Sequence, residues 1–295
     1  MPKKLSRRDT ITSLSALAAG LATRPSLAQT PALIFTAIPD QDETRLLERF
    51  SVYAKYFESK LGVPVKYLPV KSYPAAVTSF TNNQVQFAWF GGFTGVQAVR
   101  AVPDSRTLAQ GAEDAAFTSV MIANAATGLA VSKELPKDIA GKTFTFGARA
   151  STSGRVMPEY FLRQAFPGKG PEEIFSRVGF SGDHSRTVQL VQTGAYQVGV
   201  MDSLVWKSEI KDGKVDEKQV SVIWESPPFP DYHWVARGDI DKVYGAGFTQ
   251  KIQDTILGIT DPALMAIFAR SKFIPAKNED YKPIEDVAKI VGLFN

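Results

Sequence analysis

The chain has 295 residues, with 34 Lys+Arg against 30 Asp+Glu and no cysteine. The missing cysteine excludes disulfides, thiolate metal sites, a cysteine nucleophile and a lipidated N-terminal cysteine. Residues 1–28 are expected to be an export signal; without it 29 basic residues face 29 acidic ones, so nothing argues for nucleic acid or an anionic membrane surface as a partner.

At the N-terminus, Lys3, Lys4, Arg7 and Arg8 precede an apolar stretch over 11–22, and Ser26-Leu27-Ala28 offers a small-x-small cleavage site near Ala28. Ser6-Arg7-Arg8 suits a twin-arginine export route, although Thr10 and Ile11 replace its usual aromatic-leucine continuation. No later stretch reaches about 18 unbroken apolar residues, so no membrane span is expected. The 267 residues that follow the signal exceed the usual single core and predict two domains.

Residues 33–38 read as a buried strand. A helix follows over 43–59, with Asp42 as N-cap, Leu46, Leu47, Phe50, Tyr53, Ala54 and Phe57 as its apolar stripe, and Gly62 to close it. Strands over 63–70 and 85–90 flank a short helix over 75–81, and the second of them ends at Gly91-Gly92. Residues 106–110 and 119–124 add two strand candidates, and 129–141 read as a connector.

A second series begins with a strand over 143–146, followed by a helix over 156–166, a strand over 176–180, a helix over 185–193 and strands over 197–201 and 219–224. Residues 226–237 are an extended aromatic-proline segment, and beyond it come helical patterns near 240–257, 262–270 and 284–293. Two rounds of strand-helix alternation predict two α/β units with largely parallel sheets. In such sheets the loops at the C-terminal strand ends share a crevice. Here those loops are 39–42, 91–95, 148–154 and 181–185, two from each half.

The stretch Gly147-Ala148-Arg149-Ala150-Ser151-Thr152-Ser153-Gly154-Arg155 stands at one of these strand-to-helix junctions. Free backbone N–H groups at a helix start, with the dipole and three hydroxyls behind them, can hold an oxyanion without lysine or metal. Ordinary helix capping by Ser and Thr is the alternative. Only His184 and His233 are present, and there is no Gly-x-Ser-x-Gly elbow, no His-Glu-x-x-His and no Gly-x-x-x-x-Gly-Lys loop. A hydrolase would have to rely on cleft carboxylates. The preferred reading is a binding protein rather than an enzyme, with no cofactor and no metal.

Several pieces in this order resemble the solute-binding proteins of ABC transporters for phosphonate, phosphite and related oxyanions. They are Leu61-Gly62-Val63-Pro64-Val65, Tyr73, Phe90-Gly91-Gly92, Ser151-Thr152-Ser153-Gly154, Gly182-Asp183-His184 and Ser271-Lys272-Phe273-Ile274-Pro275. Within that family the chain looks most like the branch named for selenate, through Ile38-Pro39-Asp40-Gln41-Asp42-Glu43-Thr44, Ala88-Trp89-Phe90-Gly91-Gly92-Phe93-Thr94-Gly95 and Pro227-Pro228-Phe229-Pro230-Asp231-Tyr232. The resemblance implies a type II periplasmic-binding-protein fold, with two α/β lobes of mixed, largely parallel sheets and a hinged cleft between them. Lobe 1 is expected over 29–121 and 232–295 and lobe 2 over 122–231, with crossovers near 118–125 and 228–237. The chain departs from the family at Gly95, where relatives tend to carry a tyrosine, which removes one phenol donor. Gln86 and Gln197 stand where the family often has an acidic residue and are read as structural.

The resulting ligand candidates are Ser151, Thr152, Ser153 and Gly154 as the cradle, His184 and Tyr73 as ring N–H and phenol donors, Phe93 and Thr94 as the facing set, and Asp40 and Asp202. Sulfate or selenate offers only acceptors, whereas phosphate and phosphonate monoanions carry an O–H that a carboxylate can accept. A carboxylate contact would therefore favour phosphorus ligands. Trp89, Phe93, Trp206, Trp224, Phe229, Tyr232 and Trp234 could form an aromatic wall, or could simply be core. The resemblance implies a monomer in the periplasm that passes its anion to an inner-membrane ABC permease served by a separate ATPase. A ligand-sensing subunit for a membrane receptor is the alternative.

Overall fold

A computed structural model describes residues 30–294; the expected export signal, 1–28 with cleavage near Ala28, lies outside them. The first series comprises β1 (Leu33–Ala37), α1 (Glu43–Leu61), β2 (Val65–Tyr67), α2 (Tyr73–Thr81), β3 (Phe87–Phe90), α3 (Gly92–Ala101) and β4 (Arg106–Gly111). The second runs through β5 (Ser119–Asn124), β6 (Thr143–Phe146), a π-helical turn (Thr152–Val156) leading into α4 (Met157–Ala165), α5 (Pro171–Ile174), β7 (Arg177–Phe180), α6 (His184–Gln192), β8 (Val198–Asp202), α7 (Ser203–Lys211) and β9 (Val220–Glu225). The chain then returns through β10 (His233–Ala236), α8 (Ile240–Tyr244), α9 (Phe248–Leu257), α10 (Pro262–Phe268), β11 (Phe273–Pro275) and α11 (Lys282–Ile290).

These strands form two sheets, ordered β11-β4-β10-β3-β1-β2 and β7-β6-β8-β5-β9. In the first sheet β1 to β4 share one direction, and in the second β6 to β9 do. The strands that oppose them are β10 and β5, each the first strand after the chain changes sheets, and the short edge strand β11. The largely parallel character expected from the alternation therefore holds, with one arriving strand inserted into each sheet.

Local chemistry explains the better-read elements. Asp42 Oδ1 accepts the Arg45 amide at 3.1 Å to cap α1, and Gly62 ends it in the left-handed region at φ 74°. The α1 stripe buries Leu46, Phe50, Tyr53 and Phe57, and Phe57 meets Phe35 of β1 edge-on at 5.5 Å. Gln86 Oε1 accepts the Ile34 amide at 2.8 Å, and Gln197 Oε1 accepts the Thr143 amide at 3.0 Å. The two glutamines thus do the same work in each lobe, tying the chain ahead of one central strand to its neighbour.

Three helices, α3, α5 and α7, and one edge strand, β11, go beyond the sequence reading. Helix α3 begins at Gly92 and includes Gly95, both poor helix formers, so tertiary contact rather than propensity holds it. Helix α7 starts directly on the last residue of β8, because the Asp202 carboxylate accepts the amides of Leu204 and Val205 at 2.6 and 2.8 Å. Strand β11 is a three-residue edge, too short for a periodicity.

The chain passes between the sheets twice, after β4 and after β9. Strand β5, which the expected division at 121/122 would cut, lies wholly in the second sheet. The two connections pair with each other: Phe117 and Phe229 exchange backbone hydrogen bonds of 2.8 and 2.9 Å. Beside this bridge Arg270 grips Asp114 with two hydrogen bonds of 2.6 and 3.0 Å. Its guanidinium lies over the Tyr232, Phe117 and Trp89 rings at 5.1, 5.6 and 5.8 Å. Gly111 makes room for it, since a Cβ there would fall 2.2 Å from Arg270 Cγ.

Candidate anion site

The four loops picked from the strand ends converge. Phe93 N–H, at the start of α3, donates to Thr152 Oγ1 at 2.9 Å, and His184 N–H donates to the Asp40 carbonyl at 3.0 Å. Each contact joins the first sheet's loops to the second's, so the lobes are closed on one another at this point.

The cradle lies on the second lobe. Ser151 Oγ accepts the Gly154 amide at 2.9 Å, and the Val156 amide reaches back to the Ser151 carbonyl at 3.0 Å, which gives the wide π-turn. Such turns inside helices recur at functional sites. Ser151, Thr152 and Ser153 are all buried, and the Ser153 hydroxyl has no partner in the protein. Gly154 has to be glycine: a Cβ would stand 2.9 Å from Ser151 Oγ and 3.0 Å from His184 Cε1.

The His184 ring thus packs directly against the cradle. Its Nδ1 accepts the Asp202 amide at 3.4 Å, which leaves the proton on Nε2, 3.4 Å from the Tyr232 hydroxyl. Burial holds the imidazole below its ordinary pKa, against the charges of Asp202 and Asp183. It is therefore a neutral Nε2–H donor.

From the first lobe, Tyr73 opens α2, fully buried, with its hydroxyl unpartnered. Burial pushes this phenol well up, helped by the charges of Asp40, Asp231 and Asp202 and opposed by the Ser151 hydroxyl. Tyr73 thus sits among the carboxylates and within reach of the cradle. Asp202 uses one oxygen to cap α7, and its Oδ2 is buried without a partner. Burial, reinforced by Asp202, pushes the Asp40 carboxyl up to about 7 against Arg49, Arg270 and the Tyr232 hydroxyl. Asp40 and Asp202 line one small cavity of about 30 Å³ with Trp89, Arg49 and Arg270.

Two candidates are brought near but turned elsewhere. The Phe93 ring packs on Phe294 at 5.1 Å, so only its backbone reaches the second lobe. The Thr94 hydroxyl donates to the Gly91 carbonyl of its own turn at 3.1 Å. The aromatic wall also divides. Trp89 and Tyr232 stack at 5.7 Å beside the site and, with Trp234, belong to the large core of the first lobe, whereas Trp224 and Trp206 pack in two separate clusters of the second lobe.

Position 95 does not face the Ser151–Gly154 turn. A Cβ on Gly95 would stand 2.1 Å from His233 Nε2, and that ring is stacked on Tyr281 at 3.6 Å and cannot withdraw freely. The expected loss of a phenol donor from the cradle is therefore corrected: a side chain at 95 points into the first lobe. Gly95→Ala is expected to lower stability by about 1–3 kcal/mol through overpacking, seen as a drop in Tm, with little change in anion affinity.

Sequence reasoning missed Asp231. Its Oδ1 accepts the Gly92 amide at 2.8 Å, its Oδ2 is unpartnered, and the residue is 1% exposed. Burial pushes its carboxyl up to about 7, with the Gly92 amide and Thr152 hydroxyl pulling back and Asp202 adding to the rise. The available signal was a lone acid closing the apolar run Pro227-Pro228-Phe229-Pro230. Also missed was Arg45 of α1, which reaches Glu209 at 3.1 Å and Asp212 at 2.7 Å on α7, across the cleft.

The chain is similar to known proteins in sequence and in fold. The family described as "ABC transporter, phosphonate, periplasmic substrate-binding protein" matches residues 35–281. The probable ABC transporter phosphite binding protein PhnD1 of Prochlorococcus marinus (strain MIT 9301) is 37% identical over 266 residues, covering 86% of this chain and 87% of that protein. The phosphonates-binding periplasmic protein of Escherichia coli (strain K12) is 26% identical over 249 residues, covering 79% and 70%. The structure of PhnD1 from Prochlorococcus marinus (MIT 9301) in complex with methylphosphonate superposes with a TM-score of 0.84 at 36% identity, covering 89% of this chain and 99% of that one.

Proposed function

Because this chain belongs to the phosphonate family of periplasmic substrate-binding proteins of ABC transporters, we propose that it captures a small phosphorus oxyanion bearing a P–OH, of phosphite or methylphosphonate size, and delivers it to a membrane permease. It is a binding protein, as its relatives are, and not an enzyme. The observation that supports this reading is four of the buried polar atoms without protein partners: the hydroxyls of Tyr73 and Ser153, and one carboxylate oxygen each of Asp202 and Asp231. Buried polar groups are almost always hydrogen-bonded, and leaving one unpaired costs about 1–3 kcal/mol. Donors and acceptors together match an anion that both accepts and donates.

This favours phosphorus over selenium among the oxyanions. A selenate or sulfate dianion has no hydrogen for Asp202 or Asp231 and would meet the carboxylate charge of Asp202, and that of Asp231 in its ionised form, at close range. Methylphosphonate or phosphite offers its P–O⁻ oxygens to the serines, Tyr73 and His184, and its O–H to a carboxylate. Titration calorimetry of the purified protein at pH 7 is the test. Phosphite or methylphosphonate is expected to bind at least tenfold tighter than selenate or sulfate, and the opposite order would overturn the reading.

Delivery requires that the ligand bind the closed form better than the open one. The Arg45 fork to Glu209 and Asp212 acts only when the lobes meet, so it adds to closed-state stability independently of the anion. Arg45→Gln is expected to weaken anion binding about threefold to tenfold, the range for a partly exposed ion pair. The salt dependence of the affinity should flatten in the same variant; an unchanged salt slope would remove the latch role.

A further inference from the structure

A second cavity, of about 380 Å³, lies inside the first lobe between α3, β10 and the start of α11, away from the cleft. Its walls include Val96, Val99 and Tyr281, and its mouth carries the Arg100–Glu285 ion pair of 2.6 Å and Lys282. Two polar groups stand in its lining without protein partners. Thr107 Oγ1 is buried and unpaired. His233 contributes the other. Its Nδ1 lies 2.9 Å from the Asp231 carbonyl, which can only accept, so Nδ1 carries the hydrogen and Nε2 presents a lone pair. No protein donor among the described residues bonds that Nε2. Gly95 packs closely on the same ring, since a Cβ there would stand 2.1 Å from Nε2 and 2.4 Å from Cε1.

We propose that this cavity is a second small-molecule site, taking a compact apolar molecule of phenol size that carries one O–H or N–H donor. The donor meets His233 Nε2, the apolar body lies along Val96, Val99 and the edge of Tyr281, and Thr107 Oγ1 supplies a second polar contact. Pockets of this kind, mostly apolar with a few convergent polar groups, are the usual form of small-molecule sites. Burial lowers the His233 pKa to about 3, so the ring stays a neutral acceptor across the physiological range. The site goes beyond anion capture and touches it at one point: the histidine that would hold the molecule also holds the carbonyl of Asp231.

The test uses 4-fluorophenol, followed by fluorine NMR on the whole protein with and without saturating methylphosphonate. Saturable binding is expected with a dissociation constant on the order of 1 mM, a value that ligand-efficiency bounds allow for eight heavy atoms. Val99→Trp, which fills the cavity, should weaken it at least tenfold, and Thr107→Val should weaken it about threefold, on the scale of one neutral hydrogen bond. Methylphosphonate should leave the fluorophenol bound, and both variants should keep their methylphosphonate affinity. Absence of saturable binding, full displacement by methylphosphonate, or binding that ignores both substitutions would each overturn the proposal. None of those results would touch the anion site itself, which is read independently by calorimetry.

Discussion

Replacing Ser151 and Ser153 together by alanine is expected to weaken the preferred anion by at least an order of magnitude, and by at least about a hundredfold if the two contacts add. Ser151 Oγ is held in place as acceptor of the Gly154 amide, so its own hydrogen is free to be aimed. Ser153 Oγ is buried and has no other partner. Each hydrogen bond to a charged group contributes about 1.5–3 kcal/mol, and the two sit on one turn, so additivity is an upper bound. The cap lost at Ser151 should also lower stability by about 1 kcal/mol. Calorimetry with methylphosphonate, together with a thermal melt, separates the two effects. Unchanged affinity in the double variant would show that the π-turn is only a helix start.

Asp231→Asn is expected to act on selectivity and on stability in opposite directions. The amide can keep its acceptor on the Gly92 N–H, but it replaces the unpartnered carboxylate oxygen with an N–H₂ donor. Above about pH 7, where the Asp231 carboxyl is ionised, a P–OH then loses its acceptor, and affinity for phosphite or methylphosphonate should fall at least tenfold, whereas selenate and sulfate lose a repelling charge and should gain. Stability follows from the raised carboxyl, about 7 in the folded protein against an ordinary 3.8. Between those values the folded state holds a proton that the unfolded chain has lost, so stability declines as pH rises from about 4 to about 7 and stays lower above. The variant lacks that decline, and its Tm relative to the natural protein should rise by several degrees between pH 4 and pH 8, on the order of a few kcal/mol. Parallel Tm profiles would remove the buried-carboxylate assignment, and unchanged anion selectivity would remove the P–OH contact.

The sequence made most of the scaffold legible because its helices carry clear caps and stripes, as Asp42 and Gly62 do for α1, and its buried strands are short apolar runs between turn residues. It concealed α3 because glycines occupy the positions where that helix meets Pro230, Ile284 and His233 at close range; a poor helix former was needed for packing. It concealed α7 because one aspartate both ends a strand and caps the helix. The turn from Ser151 to Gly154 was readable as a helix start because helix-start chemistry is local. Asp231 and Arg45 were not, because their meaning depends on partners 139 residues away at Gly92 and 164 away at Glu209. Thr94 shows the converse failure: a hydroxyl in the right loop turned back on its own backbone.

The mutual pairing of Phe117 and Phe229 makes the two connecting strands a single mechanical element. Paired antiparallel backbones resist sliding past one another far more than they resist bending, so the sheets can swing but not shear. On the proposed capture-and-delivery reading, each closure would return Thr152 to the same amide and Arg45 to the same two acids. A cut introduced in either connection would free it to drift, and discrimination between tetrahedral ions of nearly equal size would be the first property to suffer.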